Sequence, residues 1–216
     1  MMRAPRLTLA ERRAEGDALR ERLSRKDQGV WRAAPDRPDA VSVLSAAVTH
    51  RDADALRFRW GRMAASPFTF LRGNAALMAW DTGRQPTTGL ACQLCGDPHV
   101  LNLGAYAAPN QELVFDLNDF DETCRGPWEW DLKRLAVSVV LGGQAAGHDR
   151  PGCEAAVRAC AETYRHALHA FADLGAGELA RTDIDPSDGH ETLDPVFEKA
   201  ARDTPARLLE KAVEAS

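Results

Sequence analysis

No long apolar run occurs in this 216-residue chain. The longest, from Leu135 to Gly143, falls well short of the roughly 20 residues that span a bilayer. The N-terminal stretch MMRAPRLTLAERRAEGD has no apolar core of signal-peptide length. Together these absences lead us to expect a soluble, cytoplasmic protein with no membrane partner. A basic excess is also missing: the net charge is -5 and the pI about 5.7. The arginines are spread among Asp and Glu in helix-like segments, so no nucleic-acid partner is expected. There is no disulfide framework either. Cys92, Cys95, Cys124, Cys153 and Cys160 are odd in number and scattered, which suits reduced thiols. Internal repeats and low-complexity linkers are absent. What remains is 44% hydrophobic and 27% charged, an ordinary balance for a globular chain able to bury a sizeable core.

Thr8 and Glu11 have capping-box spacing, and a polar helix is predicted from there to about Leu23. Its few apolar positions leave it at the surface or mobile. With the proline-containing loop from Val30 to Asp39 it forms a separate N-terminal piece, 1–38, ahead of a single domain, 39–216. Helices are expected from Ala40 to Thr49 and from Asp54 to Met63. Ser66 and Pro67 then read as an N-cap and a first helical proline. They open a segment, Phe68 to Trp80, that places Phe70, Leu71, Ala75 and Met78 on one face. After turn chemistry from Asp81 to Thr88, Gly89 to Cys95 reads as a buried strand. Leu101 to Tyr106 and Glu112 to Leu117 read as a hairpin. Gly126 and Pro127 break the chain before a helix whose stripe is Leu132, Leu135, Ala136, Val139 and Val140, ended by Gly142, Gly143 and Gly147. Lys133 and Arg134 lie off that stripe. A second long helix runs from Pro151 to Leu174, with Ala156, Val157, Cys160, Ala161, Tyr164, Leu168 and Phe171 on one face. Arg181 to His190 is a polar loop, and short helices start at Asp194 and at Thr204.

The chemistry concentrates between Cys95 and Asp131. Asp97 is followed by Asp116, Asp119, Asp121 and Glu122, then by Glu129 and Asp131, with Asn102 and Asn118 among them. Carboxylates that share a small volume repel unless a cation or proton compensates them. Asp97 follows a strand and a glycine, and Asn102 comes five residues later, the D-x-x-x-x-N spacing of a phosphotransferase catalytic loop. An Asp at a strand end can accept a proton from a substrate hydroxyl. The Asn offers a neutral oxygen to magnesium, and a carboxylate at the end of the next strand supplies the charged ligand. Asp116 stands there, with Asp119 and Asp121 as competitors, because one or two residues of turn decide which points inward.

The segment GDPHVLN resembles the G-D-x-H-x-x-N loop of aminoglycoside phosphotransferases and other kinase-like proteins. The resemblance implies Asp97 as catalytic base, Asn102 and Asp116 (or Asp119) as metal ligands, and Asp131 as a brace for the loop backbone. A closer similarity, to the bacterial family called domain of unknown function 2252, is carried by RMAASPFTFLRG (Arg62 to Gly73), CGDPHVLNLG (Cys95 to Gly104), LVFDLNDFDET (Leu113 to Thr123) and GPWEWDLKRLA (Gly126 to Ala136). The implied fold is α+β and mostly helical, like the C-lobe of a protein kinase, with a small β-hairpin beside the catalytic loop. The implied cofactors are magnesium and ATP, and the partner is a small-molecule or other phosphate acceptor that no residue set identifies. Members of the family are commonly about twice this length. Their later half carries a glycine-rich segment and a lysine segment resembling the phosphate-gripping parts of a kinase, and neither is found here. We therefore expect a partial domain, poor in nucleotide binding and inactive by itself, with apolar faces open to self-association.

Plainer readings compete at several of these residues. Cys92, Cys95, Cys124 and His99 suggest zinc, but the spacing is short for a tetrahedral site, and two of the cysteines point to opposite faces of a strand. No zinc is expected, and His99 is read as a loop brace bonded to a backbone carbonyl or an Asp. Asp121 is read as supporting the site. The run from Asp116 to Glu122 lacks the glycine and the terminal Glu of a calcium EF-hand. Trp128 and Trp130 read as packing residues. Arg62 and Arg72 could hold an anion, against the plainer reading of surface or ion-paired arginines. Three functional classes follow: a magnesium-dependent phosphotransferase, a non-catalytic remnant or binding module, and a metal-dependent hydrolase using the same carboxylates.

Overall fold

The computed structural model describes residues 7–47, 53–179 and 181–202. The helix expected from Thr204 lies outside the described residues, as do Val48 and Thr49 at the end of the one expected from Ala40. In chain order the elements are α1 (Leu9–Arg22), α2 (Arg25–Gln28), α3 (Ala40–Ala47), α4 (Ala53–Met63), α5 (Pro67–Arg72) and α6 (Ala75–Thr82). Then come β1 (Ala91–Leu94), β2 (Leu103–Ala107), β3 (Leu113–Leu117), β4 (Cys124–Pro127), α7 (Glu129–Ala145), α8 (Arg150–Phe171), α9 (Ala176–Leu179) and α10 (Asp194–Arg202). The fold is α+β and mostly helical, 57% helix and 10% strand among the described residues, with small antiparallel two-stranded sheets. Contacts divide the chain into two units: Met1–Val100 with Phe120–Asp173, and Leu101–Asp119 with Leu174–Ser216.

In the first unit, local side-chain chemistry sets the helix starts. The Thr8 hydroxyl accepts the Glu11 N–H, and the Glu11 carboxylate accepts the Thr8 N–H at 2.7 Å, closing the capping box. Arg22 ties the far end of α1 to the Thr88 carbonyl at 2.8 Å, and Leu23 is buried beyond it. Ser66 and Thr69 make a second reciprocal cap with Pro67 at the first helical position.

The segment expected to run from Phe68 to Trp80 divides at Gly73. The Asn74 side chain accepts the Leu77 N–H at 3.0 Å and restarts the helix as α6, an arrangement in which a short polar side chain outcompetes helix continuation. Gly73 is needed there for space, since a Cβ would lie 2.5 Å from the Met63 side chain.

β1 pairs antiparallel with β4, Leu94 opposite Cys124 and Ala91 opposite Pro127. The glycine and proline of this stretch read as a break, whereas pairing with a strand some thirty residues earlier makes them the end of β4. α7 begins at Glu129 and continues through Gly142 and Gly143 to Ala145; of the three glycines expected to end it, only Gly147 lies beyond its end, at φ +87. Gly143 lets α8 approach, because a Cβ there would meet the Cys153 Sγ at 2.9 Å. At the other end of the pair, Trp128 stacks parallel to Tyr164 with ring centroids 6.3 Å apart. Further along α8 the apolar face is uncovered in part: Leu168 is 50% exposed.

In the second unit, β2 and β3 form an antiparallel hairpin with Leu103 opposite Leu117 and Ala107 opposite Leu113. The turn is closed by Ala108 N–H to the Glu112 carbonyl, with Gln111 at positive φ. Val114 is buried. Phe115 meets Phe197 of α10 edge to face at 6.5 Å, and its N–H donates to the Ile184 carbonyl at 2.7 Å. The polar stretch before α10 contains a single 3-10 turn, Pro186–Asp188, capped by Asp185.

Candidate functional site

The loop carrying Asp97 leaves β1 through Cys95 and Gly96. Gly96 has φ +90, and a Cβ on it would lie 2.0 Å from the Glu122 carbonyl oxygen. Only glycine satisfies both the left-handed backbone and that close approach. The loop is then held by one face of α7. Asp131 accepts the Cys95 N–H at 2.7 Å and the Gly96 N–H at 3.2 Å. One turn on, the Arg134 Nε donates to the Asp97 carboxylate, while Nη2 donates to the Leu71 carbonyl at 2.7 Å. Another turn on, the Ser138 hydroxyl accepts the Val100 N–H at 3.2 Å and donates to the Leu135 carbonyl. Asp131, Arg134 and Ser138 sit at i, i+3 and i+7, one helical face. The most buried residues of α7 are Glu129, Arg134 and Ser138, all polar, while the apolar stripe is only half-buried.

Two titratable groups beside this loop are shifted by burial. Asp131 is pushed up, since the loss of water outweighs the two N–H donors that favour its charged form. His99 is pushed down by burial, and the Arg72 and Arg134 charges add to this against the opposing pull of Asp97. His99 is 3% exposed, and its Nδ1 is buried with no hydrogen-bond partner. Below the same loop lies a cavity of about 270 Å³ lined in part by Ala75, Ala79, Gly96, Trp130, Asp131 and Arg134. The Trp130 indole N–H is also buried without a partner.

Glu129 belongs to a separate polar network. Its Oε1 accepts the Thr88 N–H at 2.7 Å and the Thr88 hydroxyl at 2.6 Å, and the Trp128 indole N–H donates to that hydroxyl at 3.0 Å. Trp128 thus packs on Tyr164 and anchors this network as well.

The second unit contains Asn102, Asp116 and Asp119. Asn102 is buried just before β2, and its carbonyl accepts the Asn118 N–H at 3.0 Å. Gly104 is opposite Asp116, and the Asn118 side chain lies over Gly104, 2.8 Å from where a Cβ would stand. The period of two puts Gly104, Asp116 and Asn118 on one face of the hairpin. Asp116 is exposed and accepts the Leu117 N–H at 2.7 Å; Asp119 is exposed just beyond the strand. Asp121 is exposed in a turn of the first unit. Cys92 and Cys124 are exposed and Cys95 is buried. Among the described residues, no three His, Cys, Asp or Glu side chains are grouped so as to hold a metal ion.

Arg62 and Arg72 line one cleft between α4 and α5, and Arg59 joins them there. In the sequence Arg59 pairs with Arg62 as basic residues late in one helix, with no anion role assigned to Arg59, and their spacing of three puts both on one helical face. Sequence reasoning missed Arg134, whose signal was the i, i+3, i+7 polar spacing from Asp131 to Ser138.

No helix among the described residues is long and apolar enough to cross a membrane. Residues 51–216 match the model of a family described as an uncharacterized protein conserved in bacteria. The chain belongs to that family, DUF2252. No curated protein and no solved structure matches the chain.

Proposed function

We propose that the chain carries a kinase-like phosphotransferase centre that works with magnesium and ATP. The observation that supports this best is the grip of α7 on the loop before Asp97. A proton-accepting carboxylate must be held to a fraction of an ångström, and the Asp131 bonds to Cys95 and Gly96 fix the backbone immediately before it. Asp97 takes the proton of the acceptor hydroxyl as the hydroxyl oxygen bonds to the γ-phosphorus of ATP and the bond from that phosphorus to the bridging oxygen breaks, ADP leaving with the electron pair. Asn102 and Asp116, with Asp119 as the alternative, are the hard oxygen donors magnesium prefers, and they would hold the ion. When bound, that ion neutralises charge on the phosphoryl group in transfer.

The test is thermal unfolding and ADP release with magnesium and ATP on a full-length relative from the same family, with this chain run beside it. The relative should be stabilised by nucleotide only when magnesium is present, and this chain should respond weakly. In the relative, replacing the carboxylate that corresponds to Asp116 by Asn should abolish that stabilisation, and replacing the one that corresponds to Asp97 should keep it while releasing no ADP. A full-length relative that shows no magnesium-dependent nucleotide binding ends this reading. The Arg134–Asp97 pair favours a second reading, a non-catalytic binding module, because a carboxylate held by a buried guanidinium is often purely structural. Under that reading Asp97→Asn lowers the melting temperature and leaves nucleotide handling untouched.

A further inference from the structure

We propose that the cleft between α4 and α5 binds an oligophosphate anion through Arg59, Arg62 and Arg72. The cleft has a volume of about 720 Å³, and among the described residues no acidic side chain lines it. Among the described residues no carboxylate lies within ion-pair distance of these three guanidinium groups, whereas Arg37, Arg134 and Arg150 pair with Asp81, Asp97 and Glu154. Three cations around one depression repel each other until an anion enters. Two of them are already positioned by the protein. Arg59 Nη2 donates to the Gly73 carbonyl at 2.8 Å, and the Arg62 guanidinium lies 4.5 Å from the Phe58 ring centre. Ordering them in advance lowers the entropy lost on binding. The planar guanidinium fork matches the paired oxygens of a phosphate group. Phe58 is 66% exposed beside these charges and offers an apolar surface next to the phosphate chain. The ligand is therefore a free oligophosphate or the phosphate tail of a nucleotide. This site needs neither magnesium nor Asp97 and stands apart from the phosphotransferase reading.

Isothermal titration with sodium tripolyphosphate, in low salt with EDTA, tests it. Wild type should bind saturably, one anion per chain. Arg62→Gln and Arg72→Gln, both at exposed positions, should each weaken binding about tenfold, the loss of one charged hydrogen bond. Arg72→Lys should recover only part of it, and Arg158→Gln on α8 should change nothing. ATP in the same buffer identifies the source: tighter binding than tripolyphosphate means a nucleotide, and equal binding means the phosphate chain alone. Absence of saturable binding, or an equal loss in Arg158→Gln, overturns the proposal.

Discussion

Replacing Arg134 by methionine removes the side chain that connects α7, the Asp97 loop and the end of α5. Its side chain is 3% exposed, and the guanidinium meets the Asp97 carboxylate, the Leu71 carbonyl at 2.7 Å and, at a long 3.5 Å, the Asn74 carbonyl. Breaking a buried ion pair from one side costs about 3–5 kcal/mol, because the remaining charge has lost both its partner and its water. Asp97 keeps 15% exposure, so some hydration returns and the lower end, about 3 kcal/mol, is expected. For a chain of this size that lowers the melting temperature by about 6–12 °C. Asp97→Asn should also destabilise, by stranding the guanidinium. The double variant should cost less than the sum, with a coupling of at least about 1 kcal/mol, since neither charge is left behind. Urea denaturation and calorimetry of the four proteins measure the cycle. An Arg134→Met cost within about 0.5 kcal/mol of zero, or strict additivity, would refute the reasoning.

Two further outcomes are expected. Gly96→Ala should destabilise by about 3 kcal/mol or more, combining left-handed strain with the clash at Glu122. Gly147→Ala, with φ +87 and open space, should cost only about 1 kcal/mol, and equal melting temperatures would contradict the clash. Burial holds His99 below its ordinary value of 6.5 in the folded chain, while the unfolded chain takes up a proton near 6.5. The unfolded state then binds more protons, so stability should fall as pH drops below about 6.5 and be retained above it. His99→Gln should flatten that slope in a series of denaturation curves, and an unchanged slope would exclude the histidine as its cause.

Where side-chain chemistry is local, the sequence was readable. The caps at Thr8 and Ser66, the hairpin and the two long helices each depend on partners within a few residues. The misses are non-local. β4 exists because Cys124 to Pro127 pairs with β1, and nothing within those four residues signals it. The α5–α6 break depends on Asn74 capping and on Met63 arriving from α4. At the candidate site, the spacing of Asp97, Asn102 and Asp131 was legible. Arg134 was not, because a charge off the apolar stripe reads as solvent-facing until the loop it grips is known to cover it. Arg59, Arg62 and Arg72 stood out as basic residues, but the cleft that all three line exists only once α5 packs against α4.

The order of the two units along the chain bears on synthesis. The first unit is complete once Asp173 has emerged, whereas the β2–β3 hairpin, made much earlier, gains Ile184 and Phe197 only after α8. During translation the edge of β3 at Phe115 therefore waits through the whole of α7 and α8 without its partners. An uncovered strand edge is where nascent chains associate with one another. The segment after α8 thus closes the hairpin last, and a chain stalled after α8 would hold every residue of the first unit while the second still lacks Ile184 and Phe197.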